Sequence, residues 1–356
     1  LLQQGIPELW SVFVNARTGA IVTRWNQIPR QNVAGSGVGL LGNNRSLNVW
    51  WDGANYLTLD TSKPMYAGGD PKDTDTAGVI RVFDARNQPS PNSPGESFSI
   101  FHINANNPNG PYLADGVSAS YNLSESYDYF REVHNRDSYD GKGSSLFAVV
   151  RLSQNYNNAY YLGPGKMYFG DGLTFAASLD VVAHELGHGV TSESAKLIYQ
   201  NQSGALNESF SDIFGEMAEA RSNGAAPDWI KGTGVNGIAF SFENPNNNNY
   251  PMRMSQFVNT DQDNGGVHVN SWIINHAFSL TASGGSNPIG IADAEQIWYR
   301  ALTTKLTANS QFLDARLALI QSANELFGDN SAQSQSVAAA LDAVVGVGNR
   351  LAGQDG

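Results

Sequence analysis

The sequence predicts an α+β chain of two lobes, β-rich toward the N-terminus and α-helical toward the C-terminus. Three observations carry that reading. Up to residue 152, short apolar or alternating runs are separated by Pro, Gly, Asn and Asp, the punctuation of strands and turns. From Asp180 onward, apolar residues recur at helical spacing. The two regimes meet at His184-Glu185-Leu186-Gly187-His188, where two histidines four residues apart share one helix face.

Residues 9–14 and 20–25 read as a hairpin closed by Asn15-Ala16-Arg17-Thr18-Gly19. The run Ala34-Gly35-Ser36-Gly37-Val38-Gly39 reads as a flexible break. Short strands are expected at 46–51, 79–83 and 98–103, a helix at 118–134, and an apolar strand at 146–152. Helices are expected at 179–193, 206–223, 266–283, 292–307, 311–327 and 332–345, and no internal repeat is present. The expected domains are an N-terminal segment (1–34), a β-rich lobe ending in the histidine-bearing helix (35–190) and a helical lobe (191–356). That helix then lies between the lobes, where ligand clefts are preferred.

Composition narrows the chemistry. With 356 residues, 41% apolar and 15% charged, the chain can bury about two cores. A net charge of -12 without a basic patch excludes nucleic acid as a partner and suits calcium. There is no cysteine, so disulfides and thiolate catalysis are excluded and any metal site is built from His, Asp and Glu. A secreted chain without disulfides needs another staple, and bound calcium is one. No apolar run approaches the ~18 residues of a membrane span. The first residues lack the basic-then-apolar layout of a signal peptide.

Two stripes point to metals. Asp180, His184 and His188 recur every four residues. On the next helix Glu208, Asp212, Glu216 and Glu219 share a face, although their neighbours Phe210, Ile213, Phe214, Met217 and Ala218 are apolar. Such a stripe is either a solvated face or one turned toward another helix. If the segment Gly189 to Ala205 reverses the chain, the rungs match. His184, His188 and Glu208 then hold one zinc with a position left open, and Asp212 accepts the other ring N–H of His184. Asp180, Glu216 and Glu219 meet about 12 Å or more away, by eight residues of helical rise. With Asp228 from the following loop they suit at least one structural calcium. Glu185 lies about 100° round the helix from His184, beside the open position, where a general base for water belongs.

Several motifs together resemble the thermolysin family of secreted zinc metallopeptidases. Val181 to Thr191 resembles the family's zinc helix, and Leu197 to Glu208 with Ser211-Asp212-Ile213-Phe214-Gly215 its third-ligand segment. Asp263-Asn264-Gly265-Gly266-Val267-His268 with Asn270-Ser271 resembles the segment of a second catalytic histidine. His134 to Gly141 and Tyr156 to Tyr160 are also similar, and the likeness runs from about residue 35 to the end. Taken alone, His268 would read as a loop histidine, Tyr199 as a core tyrosine and Arg253 as a surface arginine. His102, His134 and His276 are read as structural, and Trp50, Trp51, Trp229, Trp272 and Trp298 as core.

The resemblance implies a two-lobed fold and a secreted, monomeric endopeptidase with one catalytic zinc. Its substrates are proteins or peptides, and its own propeptide serves as inhibitor and chaperone. Glu185 activates water and passes the proton to the leaving amine. Tyr199 and His268 donate to the oxyanion, and Asp263 orients His268. Asn158 and Ala159 form an edge that an extended substrate joins. Arg253 holds a carbonyl beyond the scissile bond, and Val181 and Met252 line a pocket for a bulky hydrophobic residue. Departures are also visible. Ile230 and Lys231 stand where some relatives extend the acidic cluster, so Lys231 is expected to exclude a second calcium. Phe175 to Leu179 lacks a glycine pair found before the zinc helix in several relatives. Phe13 to Thr23 resembles the last propeptide hairpin, placing the mature start near Gln31 to Ser36. The competing readings are a catalytically silent zinc- and calcium-binding module and a calcium-dependent adhesion protein.

Overall fold

The computed structural model describes residues 10–26, 30–71, 77–89 and 98–346, so residues 1–9, with the first residue of the expected strand 9–14, lie outside the described residues. In chain order the strands begin with β1 (Trp10–Val14), β2 (Ile21–Asn26), β3 (Gln31–Val38), β4 (Asn44–Trp51), β5 (Tyr56–Leu57), β6 (Leu59–Asp60), β7 (Ile80–Asp84), β8 (Phe101–His102) and β9 (Asn104–Ala105). Helix α1 (Ala114–His134) leads to β10 (Leu146–Leu152), β11 (Ala159–Tyr161) and β12 (Lys166–Gly170). Then come α2 (Leu179–Ser192), α3 (Asn201–Asn223), β13 (Ile230–Lys231), β14 (Phe240–Ser241), α4 (Asp263–Asn270) and α5 (Trp272–Ser279). The last helices are α6 (Ile291–Thr304), α7 (Phe312–Phe327) and α8 (Ala332–Val344). The β-rich to helical order matches the predicted α+β class.

The chain forms two compact units. The first comprises Leu1–Ser124, Gly143–Asn158 and Tyr168–Ala177, the second Glu125–Lys142, Ala159–Met167 and Ser178–Gly356. Within the first, β3, β4, β5 and β9 make an antiparallel sheet. Strand β4 presents Leu47, Val49 and Trp51 to a cluster with Tyr56 and Val117, while Trp50 joins Leu57, Leu59 and Val79. That alternation is the period-two signature of a strand buried on both faces. In a second sheet β7 and β10 run parallel, with Ile80 opposite Leu146, and every residue of β7 is buried. Continuous burial of this kind belongs to sheet interiors.

The glycine run from Ala34 to Gly39, expected to be a flexible break, is instead mostly strand. All eight residues of β3 pair with β4, from Gln31 opposite Trp51 to Val38 opposite Asn44. The glycine at position 35 serves close approach rather than flexibility. A Cβ there would lie 2.1 Å from the carbonyl oxygen of Pro108.

In the second unit α2 and α3 pack along their lengths, and both are almost wholly buried. Gly215 permits this, since a Cβ there would lie 2.4 Å from the Asp180 carbonyl oxygen. The expected helix 206–223 begins earlier, at Asn201, because the polar start Asn201-Gln202-Ser203-Gly204 hides the apolar period. The expected helix 266–283 divides into α4, α5 and a π-turn over Leu280–Gly284. Its start is broken by left-handed backbone at Asn264, Gly265 and Gly266. The five tryptophans read as core are buried. Among the described residues no helix is long and apolar enough to cross a membrane.

Candidate metal centre

Helix spacing builds the centre. His184 and His188 stand one turn apart on α2, and their rings meet edge to face with centroids 4.6 Å apart. Glu208 comes from α3, with one oxygen 3.4 Å from His184 Nε2 and the other 3.4 Å from His188 Nε2. The three side chains form a group that could hold a metal ion, each offering one atom within 4.8 Å of the others.

The far ring nitrogens are already engaged, which leaves both Nε2 atoms for a metal. His184 Nδ1 lies 2.7 Å from Asp212 Oδ1. His188 Nδ1 lies 2.9 Å from Asn207 Oδ1 and 3.2 Å from Ser211 Oγ. Glu208 Oε2 is buried and takes part in no hydrogen bond. A buried carboxylate facing two imidazole nitrogens has the donor set that zinc prefers, so the residues fit the ion. Burial opposes ionisation of Glu208, but His188, His184 and His268 hold its carboxyl down to about 2. Burial, aided by Lys231, lowers His184 to about 4, which keeps the imidazole neutral as a metal ligand must be.

Glu185 is buried beside this group, and its Oε2 has no hydrogen-bond partner. Burial first, then the charge of Glu208, pushes it up to about 8. A hydrogen bond from the Tyr161 backbone works the other way. On another side Tyr199 and His268 converge. The Tyr199 hydroxyl donates to Glu208 Oε1 and lies 3.2 Å from His268 Nε2, which is itself 3.5 Å from Glu208 Oε1. Asp263 holds His268 twice, accepting from its backbone N–H at 2.9 Å and meeting ring Nδ1 at 2.6 Å. The left-handed turn at the start of α4 folds Asp263 back onto His268.

Further along α3, oxygens of Glu216 and Glu219 and one of Asp228 lie within 4.8 Å of one another. Glu216 Oε1 accepts from the Trp229 N–H at 2.9 Å, while its buried Oε2 accepts nothing. Burial and the neighbouring acids push Glu216 up to about 9. An all-oxygen cluster with an unpaired buried carboxylate oxygen fits a hard cation. Asp180, expected among these ligands, stands outside that group of three. Its carboxylate is taken by Ser178 Oγ and by the N–H groups of Val181 and Gly232 at 2.6 Å and 2.5 Å.

Lys231 corrects an expectation. Its ammonium lies not among the acids of that cluster but against Asp212, and 3.5 Å from His184 Nδ1. It therefore gives no ground for excluding a second calcium. Asn275 also reaches Asp212, donating to Oδ2 at 2.8 Å. Sequence reading missed Lys231, Asn275, Asn207 and Ser211 as partners of the centre. Only Asn207 and Ser211 left a signal, since they lie next to Glu208 and Asp212 on α3.

The expected substrate residues are more dispersed. Asn158 is exposed and its carbonyl accepts from Gly170 N–H at 2.9 Å. Ala159 opens β11, which stands at the end of its strand order. Val181 is buried in α2, while Met252 is half-buried and its sulfur accepts from Asn246 at 2.9 Å. Arg253 is exposed before a 3₁₀ turn over Met254–Gln256. Of the histidines read as structural, His134 stacks on Tyr299 at 4.1 Å and His276 Nδ1 lies 3.1 Å from the Phe242 carbonyl oxygen.

Ligands of this kind on successive helices of an α+β chain define a metal-centre protein. Residues 34–192 match the model of the thermolysin metallopeptidase catalytic domain, and residues 195–347 that of its alpha-helical domain. The chain belongs to the thermolysin metallopeptidase family. It is 39% identical over 356 residues to bacillolysin of Brevibacillus brevis, an alignment covering 95% of this chain and 62% of that protein. It is 40% identical over 321 residues to neutral protease NprE of Bacillus pumilus, covering 87% of this chain and 98% of that one. The chain thus spans less than two thirds of the bacillolysins it matches. A solved precursor of protealysin, a metalloproteinase from Serratia proteamaculans, is similar with a TM-score of 0.66 and 30% identity, over 78% of this chain and 90% of that one.

Proposed function

We propose that the chain is a secreted, zinc-dependent endopeptidase that hydrolyses internal peptide bonds. The observation that carries this reading is the setting of Glu185. Its carboxylate is buried beside the His184, His188 and Glu208 group, while Tyr199 and His268 converge on Glu208. Bound at that group, zinc supplies a Lewis acid for the scissile carbonyl and for water.

The side chains divide the remaining work. Glu185 takes the proton of the attacking water and delivers it to the leaving amine. Its raised value strengthens it as a base for the first transfer, and a divalent cation nearby favours the carboxylate needed at the start. Tyr199 and His268 donate to the oxyanion, where preorganised donors gain most. Asp263 accepts from His268 Nδ1 and fixes the ring so that Nε2 faces the substrate. Asp212 accepts from His184 Nδ1 and leaves the Nε2 lone pair for the metal. An extended peptide adds alongside Asn158 and Ala159 by strand addition, with Arg253 holding a carbonyl. Val181 and Met252 line an apolar pocket that selects a bulky hydrophobic residue on the leaving-amine side.

Glu216, Glu219 and Asp228, with Asp180 nearby, hold at least one structural calcium. The β1–β2 hairpin is the end of a propeptide that inhibits the enzyme and assists its folding. N-terminal sequencing of active material should begin between Gln31 and Ser36; retention of the hairpin in fully active enzyme would remove that part.

Casein digestion with and without a zinc chelator tests the main reading. Glu185→Gln should keep its zinc by elemental analysis yet lose about 10³-fold or more in turnover. Near-normal activity in that variant refutes the mechanism. A zinc-loaded parent without peptidase activity would favour the silent metal-binding module.

A further inference from the structure

Lys231 sits on β13 and reaches back to the centre from 47 residues along the chain. Its ammonium donates to Asp212 Oδ1, the same oxygen that faces His184 Nδ1 at 2.7 Å. The Lys231 side chain is 23% exposed and that of Asp212 only 1%. The ammonium lies 3.5 Å from His184 Nδ1, so a fixed positive charge stands one imidazole ring away from the metal-facing Nε2.

Charge balance gives this contact a consequence. Glu185, Glu208 and Asp212 bring three buried acidic side chains to the rings of His184 and His188. Such a set repels itself unless cations are supplied. A divalent ion supplies two positive charges and Lys231 a third. Before the ion binds, the ammonium offsets part of the repulsion and keeps Asp212 aimed at His184. Once the ion binds, the same ammonium repels it across the ring.

Resting on the peptidase reading above, we infer that Lys231 is a positioning residue that holds the ligand group together before zinc binds and loosens the zinc once bound. The two effects have the same sign for affinity, because one stabilises the metal-free form and the other destabilises the loaded form. Removing the charge should therefore tighten zinc binding. Loss of a contact that served only packing would weaken binding or leave it unchanged.

The test uses the full chain with Lys231→Met, Lys231→Gln and Lys231→Arg. Zinc affinity is read by competition with a chromophoric chelator, and melting temperatures are taken for stripped and zinc-loaded protein at fixed calcium. The Met and Gln variants should bind zinc about tenfold more tightly than the parent. Their stripped forms should melt earlier, with a smaller drop for the loaded forms. The Arg variant should stay close to the parent. If the Met variant does not fold, the Gln variant decides the matter. Weaker or unchanged zinc affinity in the neutral variants, with equal losses in both forms, overturns the inference. A parent that binds zinc and digests casein while the neutral variants show no tightening overturns this inference alone. A parent that takes up no zinc overturns the peptidase reading and this inference with it.

Discussion

At one end of α3, Glu208 is held down to about 2; eight residues further on, Glu216 is pushed up to about 9. Both are 1% exposed, so burial does not separate them. Their neighbours do. Glu208 faces two imidazoles from α2 and His268 from α4, whereas Glu216 faces Glu219, Asp228 and Asp180. The first end offers nitrogen and oxygen donors around a site that already tolerates a carboxylate. The second offers oxygens alone, in surroundings that favour an ionised carboxylate only when a hard cation joins them.

The same substitution should act oppositely at the two ends. Glu208→Gln should lose zinc and about 10³-fold or more of peptidase activity, measured by elemental analysis and casein digestion. Glu216→Gln should keep both. Its effect belongs to stability, because it removes an incompletely paired buried carboxylate. In chelated protein Glu216→Gln should melt above the parent; with calcium at about a hundredfold over its dissociation constant the parent should gain about 2.7 kcal/mol and overtake it. Loss of zinc from Glu216→Gln, or the same melting order in both conditions, would show that the two ends are not independent.

A third buried acid, Glu295, lies in neither carboxylate group and has a smaller effect. Glu295 accepts from the Tyr129 hydroxyl at 3.1 Å, and burial pushes it up to about 7 from an ordinary 4.5. A folded value above the unfolded one means that its contribution is present in full below about pH 4.5 and is lost as the pH rises through about 7. Glu295→Gln should remove about 2 kcal/mol of the fall in stability between pH 5 and 8, read from denaturant melts at fixed zinc and calcium. An identical pH profile in parent and variant would contradict this.

Much of the centre was legible because helical spacing is local. His184 and His188 share a face of α2 whatever surrounds them, and Glu208 and Asp212 share a face of α3. Matching the two rungs required only that the chain reverse between the helices. The strand β3 was not legible. Glycine signals freedom in isolation, and only the eight-residue pairing with β4 and the nearby Pro108 carbonyl turn that freedom into close approach. Asp263 and His268 were paired by resemblance, but the left-handed turn that folds one onto the other follows no periodicity.

Local spacing alone was enough to name the residues that could bind metal and their order along the helices, because side-chain direction follows from backbone geometry over a few residues. Tertiary structure decided where the counter-charges fall. Lys231 lies nearer in sequence to the oxygen cluster yet meets Asp212, and that choice depends on the path of the chain after α3. Electrostatic interaction depends on distance through space, which separation along a chain does not report.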